Sequence, residues 1–139
     1  MPHVAVFDTN VLLSAVGWKG RPYECIELAR VGQVQAVTCR EIMEELAEKL
    51  KSKLQFSDDD VNDTVADLLT FNSLVKITGT LKVVTADPDD DKILECAAVG
   101  HATHVVSGDK RHLLPLGQFQ GIAIVSPADF IRLHKASSP

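Results

Sequence analysis

The sequence is short of the features that mark unusual classes of protein. Its 139 residues hold only three cysteines, Cys25, Cys39 and Cys96, odd in number and widely spaced. That excludes a disulfide scaffold and reads as buried thiols in a reducing cytoplasm. No apolar run approaches the ~20 residues that cross a bilayer, so no membrane is expected. The opening MPHVAVFDTN has one four-residue apolar run before an acid, which does not read as a signal peptide. Basic residues are also few: 14 Lys and Arg against 19 Asp and Glu give a net charge of −5. Bulk charge alone therefore does not grip nucleic acid. There is no P-loop and no Ser-centred nucleophile elbow. The five histidines show no HExxH motif and no Cys/His pairing. They read as surface or satisfied side chains, zinc is not expected, and Cys96 reads as core.

What remains is an ordinary globule, 45% hydrophobic and 24% charged. A chain of this length buries roughly 70% of its unfolded surface and folds without staples. Residues 1–136 read as one domain and 137–139 as a frayed tail. No linker, repeat or low-complexity stretch interrupts it.

Along the chain, strand patterns alternate with helix patterns. Val4 to Phe7 reads as a buried strand ending at Asp8. A loop with Gly17, Gly20 and Pro22 should follow, then a short helix through Tyr23 and Ile26. Val34 to Val37 reads as a second strand. Thr38 with Glu41 has the spacing of a capping box, and Ile42, Leu46, Leu50 and Leu54 form one helical face beyond it. Ser57 with Asp60 opens a further helix carrying Val61, Val65, Leu68 and Leu69. At least one of Leu74 to Ile77 and Leu81 to Val84 should be a strand. Asp87-Pro88 reads as an N-cap before a buried helix with Ile93, Leu94, Ala97 and Ala98. Val105-Val106 and Ile122 to Val125 complete the strands, and Ser126-Pro127 caps a last helix with Phe130, Ile131 and Leu133. This alternation predicts an α/β fold with right-handed crossovers and a parallel sheet covered on both faces, a three-layer α/β/α arrangement.

Eleven of the nineteen acids fall in three bunches, at 41–48, 58–60 and 87–91. In an open α/β sheet the site lies outside the carboxyl ends of the strands. Asp8 follows the first strand, Asp109 follows the Val105-Val106 strand, and Asp90 sits in the first turn of a helix. Glu45 lies at the border of the Ile42 stripe, about 60° around the helix from it. Each acid also has a plainer reading: Asp8 and Asp109 as caps, the 87–91 run as dipole partners, Glu45 as part of a solvated face. Converging carboxylates repel unless a hard cation such as Mg²⁺ or Mn²⁺ neutralises them. Such a cation at a cleft serves phosphodiester hydrolysis by activating water and stabilising charge on phosphorus.

These residues carry a resemblance. VFDTNVLLSA at 6–15, EIMEELAEKL at 41–50, DPDDDKILECAA at 87–98 and VVSGDKRHLL at 105–114 resemble the PIN-domain ribonucleases. The likeness is strongest to the short proteins related to VapC toxins, and it covers essentially the whole chain. It implies a PIN-like fold with a mainly parallel central sheet, and a pocket holding Mg²⁺ or Mn²⁺ that cleaves single-stranded RNA. Asp8, Glu45, Asp90 and Asp109 match the family's acids, with Glu44 the one-residue alternative to Glu45. Asn10 and Ser107 match polar positions that support the acids. The resemblance further implies a cognate antitoxin and a homodimer. A catalytically silent partner- or RNA-binding module is the alternative.

Two rival readings fail on spacing. A phosphatase with an aspartyl nucleophile needs an acid where Asn10 stands, and a receiver domain needs paired acids where Asp8 stands alone. Lys49, Lys51, Lys53, Lys110 and Arg111 are either solvated surface or phosphate contacts beside the acids. Trp18 and Tyr23, on the expected loop, either stack bases or contact core or partner.

Overall fold

The computed structural model describes residues 3–83 and 88–137. A six-stranded sheet forms its centre, built from β1 (Val4–Phe7), β2 (Gln35–Cys39), β3 (Asn72–Val75), β4 (His104–Val106), β5 (Gln118–Phe119) and β6 (Ile122–Val125). The strand order is β3-β2-β1-β4-β6-β5. All neighbours pair in parallel except β5 with β6. Among the described residues, six α-helices flank the sheet: α1 (Thr9–Gly17), α2 (Arg21–Arg30), α3 (Arg40–Leu54), α4 (Asp58–Leu69), α5 (Pro88–Val99) and α6 (Pro127–Ser137). Among the described residues, no helix is long and apolar enough to cross a membrane.

The chain steps from β1 to β2 to β3, then crosses back to β4 on the other side of β1. That reversal between β1 and β4 is where doubly wound sheets open a crevice. Continuous burial of Ala5, Val6, Phe7, Val105 and Val106 shows both faces of these central strands covered. α5 lies against β1, β2 and β4, while α1 packs with α2 and α3. The α5–sheet contact is close: a Cβ on Gly100 would stand 2.5 Å from Val37 Cγ1.

Several expected elements appear in place. Ser57 Oγ accepts from Asp60 N at 3.1 Å, and Ser126 Oγ accepts from Asp129 N at 3.1 Å, so both serines cap their helices. Ile42, Leu46 and Leu50 are fully buried on α3.

Four departures have physical causes. The stretch after Asp8 is not a loop but α1, because Val11, Leu12 and Ala15 share a buried helical face and Asp8 caps it at once. Thr38 is not a cap. It stays in β2, paired in register with Leu74, and Cys39 takes the N-cap position without a side-chain bond. The Thr38 hydroxyl is buried with no hydrogen-bond partner among the described residues. Leu69 and Leu133, expected on apolar stripes, are 38% and 41% exposed, Leu69 as the last residue of α4 and Leu133 on the outer face of α6. A hairpin joins β5 to β6 through Gln120 and Gly121, both with positive φ, at 51° and 80°. That is the twist a two-residue hairpin turn requires.

Of the two apolar runs around Gly79, the first contributes to β3, and residues 81–83 are coil. The Asp87 cap and the end of the second run at Val84 lie outside the described residues. Of the expected tail, Ser137 closes α6, and Ser138 and Pro139 lie outside the described residues.

Candidate metal centre

Asp8, Glu45, Asp90 and Asp109 all line one cleft of about 550 Å³ at the β1–β4 reversal. Each arrives on a different element. Asp8 sits between β1 and α1, its N–H donating to Val106 O at 3.0 Å. One carboxylate oxygen, Oδ1, accepts from Val11 N at 2.8 Å and caps α1. The other, Oδ2, accepts from the buried Ser107 hydroxyl. Ser107 Oγ in turn accepts from Asp109 N at 3.0 Å, so one serine ties the ends of β1 and β4 together.

Asp109 repeats this division of labour. Its Oδ1 accepts from Arg111 N at 3.0 Å and His112 N at 3.2 Å, capping the turn that follows β4. Its Oδ2 lies 3.6 Å from His112 Nδ1. Asp90 Oδ2 approaches the same nitrogen at 3.5 Å from α5. Cap and cleft readings of Asp8 and Asp109 are therefore not rivals, since each residue caps a turn with Oδ1 and also lines the cleft.

Their titrations diverge. Burial pushes Asp8 above the usual carboxylate value, against the Ser107 and Val11 hydrogen bonds, and the Asp109 charge adds to the rise. Burial pushes Asp109 the same way. The Arg111 N–H, a hydrogen bond with Asp90, the His112 N–H and the His112 ring outweigh it and hold Asp109 low. A divalent ion bound between these carboxylates would neutralise their mutual repulsion.

The donor chemistry fits such an ion. Asp90, Asp109 and His112 each offer a ligand atom, all within 4.8 Å of one another. Glu45 lies to the side, its Oε2 3.1 Å from Lys92 Nζ. Glu44 turns away to Arg40 at 3.1 Å, with its side chain 68% exposed. The α3 register thus aims Glu45, not Glu44, into the cleft.

The supporting residues divide. Ser107 bonds the acids as the resemblance implies. Asn10 does not: it lines the cleft, but its Oδ1 accepts from Lys49 Nζ at 2.9 Å. Among the basic candidates, Lys49 and Arg111 line the cleft and Lys110 does not. Lys51 pairs with Asp58 at 2.7 Å. Trp18 and Tyr23 lie outside the cleft, Trp18 exposed at the end of α1 and Tyr23 beside a separate groove with Ile26 and Leu68.

His112 and Lys92 are the members of the site that sequence reasoning passed over. His112 carried a faint signal, three residues after Asp109. Lys92 carried none, because a lysine in an acidic first turn reads as helix surface.

A family model described as PIN domain matches residues 4–111. No curated protein matches the chain by sequence. Solved structures share the fold, two of them as follows. One is VapBC2 from Rickettsia felis bound to a DNA fragment from their promoter, at TM-score 0.60 and 14% identity over 87% of this chain and 96% of that one. The other is the T. brucei RRP44 PIN domain, at TM-score 0.57 and 12% identity over 99% of this chain and 83% of that one. With the matched segment spanning all four acids that line the cleft, the chain belongs to the PIN domain family.

Proposed function

We propose that the cleft is the active site of a divalent-cation-dependent endoribonuclease acting on single-stranded RNA, and that the protein is the toxin of a toxin–antitoxin pair. The observation that carries this reading is the convergence of Asp8, Glu45, Asp90 and Asp109 from four elements on one cleft at the sheet's reversal. Asp90 and Asp109 would hold Mg²⁺ or Mn²⁺, with Asp8 and Glu45 completing the negative wall. Such a cation supplies a Lewis acid for the phosphoryl oxygens and activates water.

The chain's own residues do the rest. Ser107 fixes the Asp8 carboxylate and, through Asp109 N, the start of the next turn. Lys92 holds Glu45 at the rim. Lys49 and Arg111 flank the acids and meet the RNA backbone, which lets a protein of net charge −5 bind a polyanion locally. The family resemblance supports products with 5′-phosphate and 3′-hydroxyl ends, and a homodimer. The VapBC2 complex supports an antitoxin partner for this chain as well.

The test is cleavage of an end-labelled single-stranded RNA with and without Mn²⁺, using Asp8→Asn as control. Cation-dependent cleavage lost in Asp8→Asn supports the reading. No cleavage by the unmodified chain, or equal cleavage by the variant, overturns it in favour of a silent binding module.

A further inference from the structure

Resting on the cation-dependent reading of the cleft, we propose that His112 Nδ1 is itself a ligand of the ion. The cleft then becomes a mixed nitrogen–oxygen site that selects Mn²⁺ over Mg²⁺. Of the five histidines, only His112 lines the cleft. His3 and His104 meet as a tilted pair with ring centroids 4.7 Å apart, and His134 bonds Gln33 at 3.1 Å.

The His112 backbone is held before any ligand arrives. Its own N–H donates to Asp109 Oδ1 at 3.2 Å, and the next residue, Leu113, is fully buried. Backbone capping and core packing therefore fix where the imidazole starts. From there Nδ1 stands 3.5 Å from Asp90 Oδ2 and 3.6 Å from Asp109 Oδ2. Two neighbouring donors bonded at ~2.1 Å to one six-coordinate ion lie about 3.0 Å apart. The observed separations exceed that spacing by about half an ångström, a gap that a small turn of the imidazole would close. With the proton on Nε2, the Nδ1 lone pair joins the two carboxylate oxygens around one point.

The donor set decides the metal. Mg²⁺ demands oxygen ligands and keeps its waters, whereas an imidazole nitrogen favours first-row transition ions. Mn²⁺ accepts both donor types. An all-carboxylate pocket would discriminate less, so His112 is the residue that sets the preference.

Pulsed electron paramagnetic resonance on the full chain loaded with Mn²⁺ alone tests this. The expected result is a hyperfine coupling from a directly bound imidazole nitrogen, absent in His112→Asn. The Mn²⁺-to-Mg²⁺ affinity ratio should also fall in that variant by at least the roughly tenfold that losing a ligand's supporting partner costs. In the unmodified chain, sub-stoichiometric Mn²⁺ should broaden the His112 ring proton signals before those of the other four histidines. That readout does not depend on a folded variant. Bound Mn²⁺ without nitrogen coupling, or coupling that persists in His112→Asn, overturns the assignment and leaves the nuclease reading standing. Failure of the chain to bind Mn²⁺ at all overturns both.

Discussion

Replacing Glu95 with Gln should destabilise the metal-free protein by about 2–3 kcal/mol. Glu95 lies on α5, 8% exposed, and its carboxylate gathers the loop that follows β3. Oε2 accepts from Thr78 N at 2.7 Å, Thr78 Oγ1 at 3.1 Å and Gly79 N at 3.1 Å, and Oε1 accepts from Leu81 N at 3.2 Å. One turn earlier Asp91 accepts from Val83 N at 2.9 Å, so the helix that carries Asp90 to the cleft also anchors this loop. A hydrogen bond to a charged group is worth about 1.5–3 kcal/mol. Counting four at that value overstates the loss, because Thr78 and Gly79 are exposed and their donors can turn to water. One to two such bonds is the net expectation. Gln keeps the shape but sets an amide NH₂ against backbone donors, so it should be no better than Ala.

Burial alone would raise the Glu95 pKa, but the Thr78, Leu81 and Gly79 N–H groups overcome it and hold it below the usual value. A depressed carboxylate stabilises the fold above its ordinary titration range and loses that contribution as pH falls through the depressed value. Urea unfolding near neutral pH should therefore show a midpoint lower by about 1–2 M, at a slope of roughly 1–3 kcal/mol per M. The gap should close in acid. A Glu95→Gln protein within about 0.5 kcal/mol of the parent, or a gap unchanged in acid, would refute the loop-clamp reasoning.

Asp8→Asn should leave the metal-free melting temperature unchanged or raise it, since Asn is an equally good cap and the buried charge is removed. Because the Asp8 pKa is raised, ionising it costs stability as pH rises. Calorimetry should show the variant's advantage widening from acid toward neutral pH, and a clear loss at neutral pH would mean the charge is favourable there. Thr38→Val should be neutral or stabilising in chemical denaturation, because it removes a buried hydroxyl that has no partner among the described residues; a loss near 1 kcal/mol would restore the capping role. Glu45→Gln should slow RNA cleavage at least tenfold, about 1.4 kcal/mol in the barrier, while Glu44→Gln stays near wild type. The reverse order of rates would mean the α3 register is read one residue off.

Much of this architecture was legible because burial and chemistry share one pattern. The apolar offsets of Ile93, Leu94 and Ala97 from Asp90 fix a helix face, and that face sets Asp90 toward the cleft while Asp91 turns to Val83. Glu45 was separable from Glu44 because three residues from Ile42 is a border position and two is not. The illegible parts depend on tertiary context. Glycines at 17 and 20 read as loop, yet the first of them only ends a helix that Asp8 has already opened. The pairing of Thr38 with Leu74 overrides a local capping signal, and nothing in either segment announces that pairing. His112 enters the site through a turn, where helical spacing gives no guidance. Lys92 meets Glu45 across two helices 47 residues apart in sequence.

Central to the proposed function is that these carboxylates form one divalent-cation site. Calorimetric titration of the metal-free chain with Mn²⁺ tests it most directly, beside an Asp8→Asn, Asp109→Asn double variant. Removing both carboxylates deletes ligand and charge at the ends of β1 and β4 together. The parent chain should bind saturably and the double variant should not bind. Undiminished Mn²⁺ binding in the double variant would contradict this expectation.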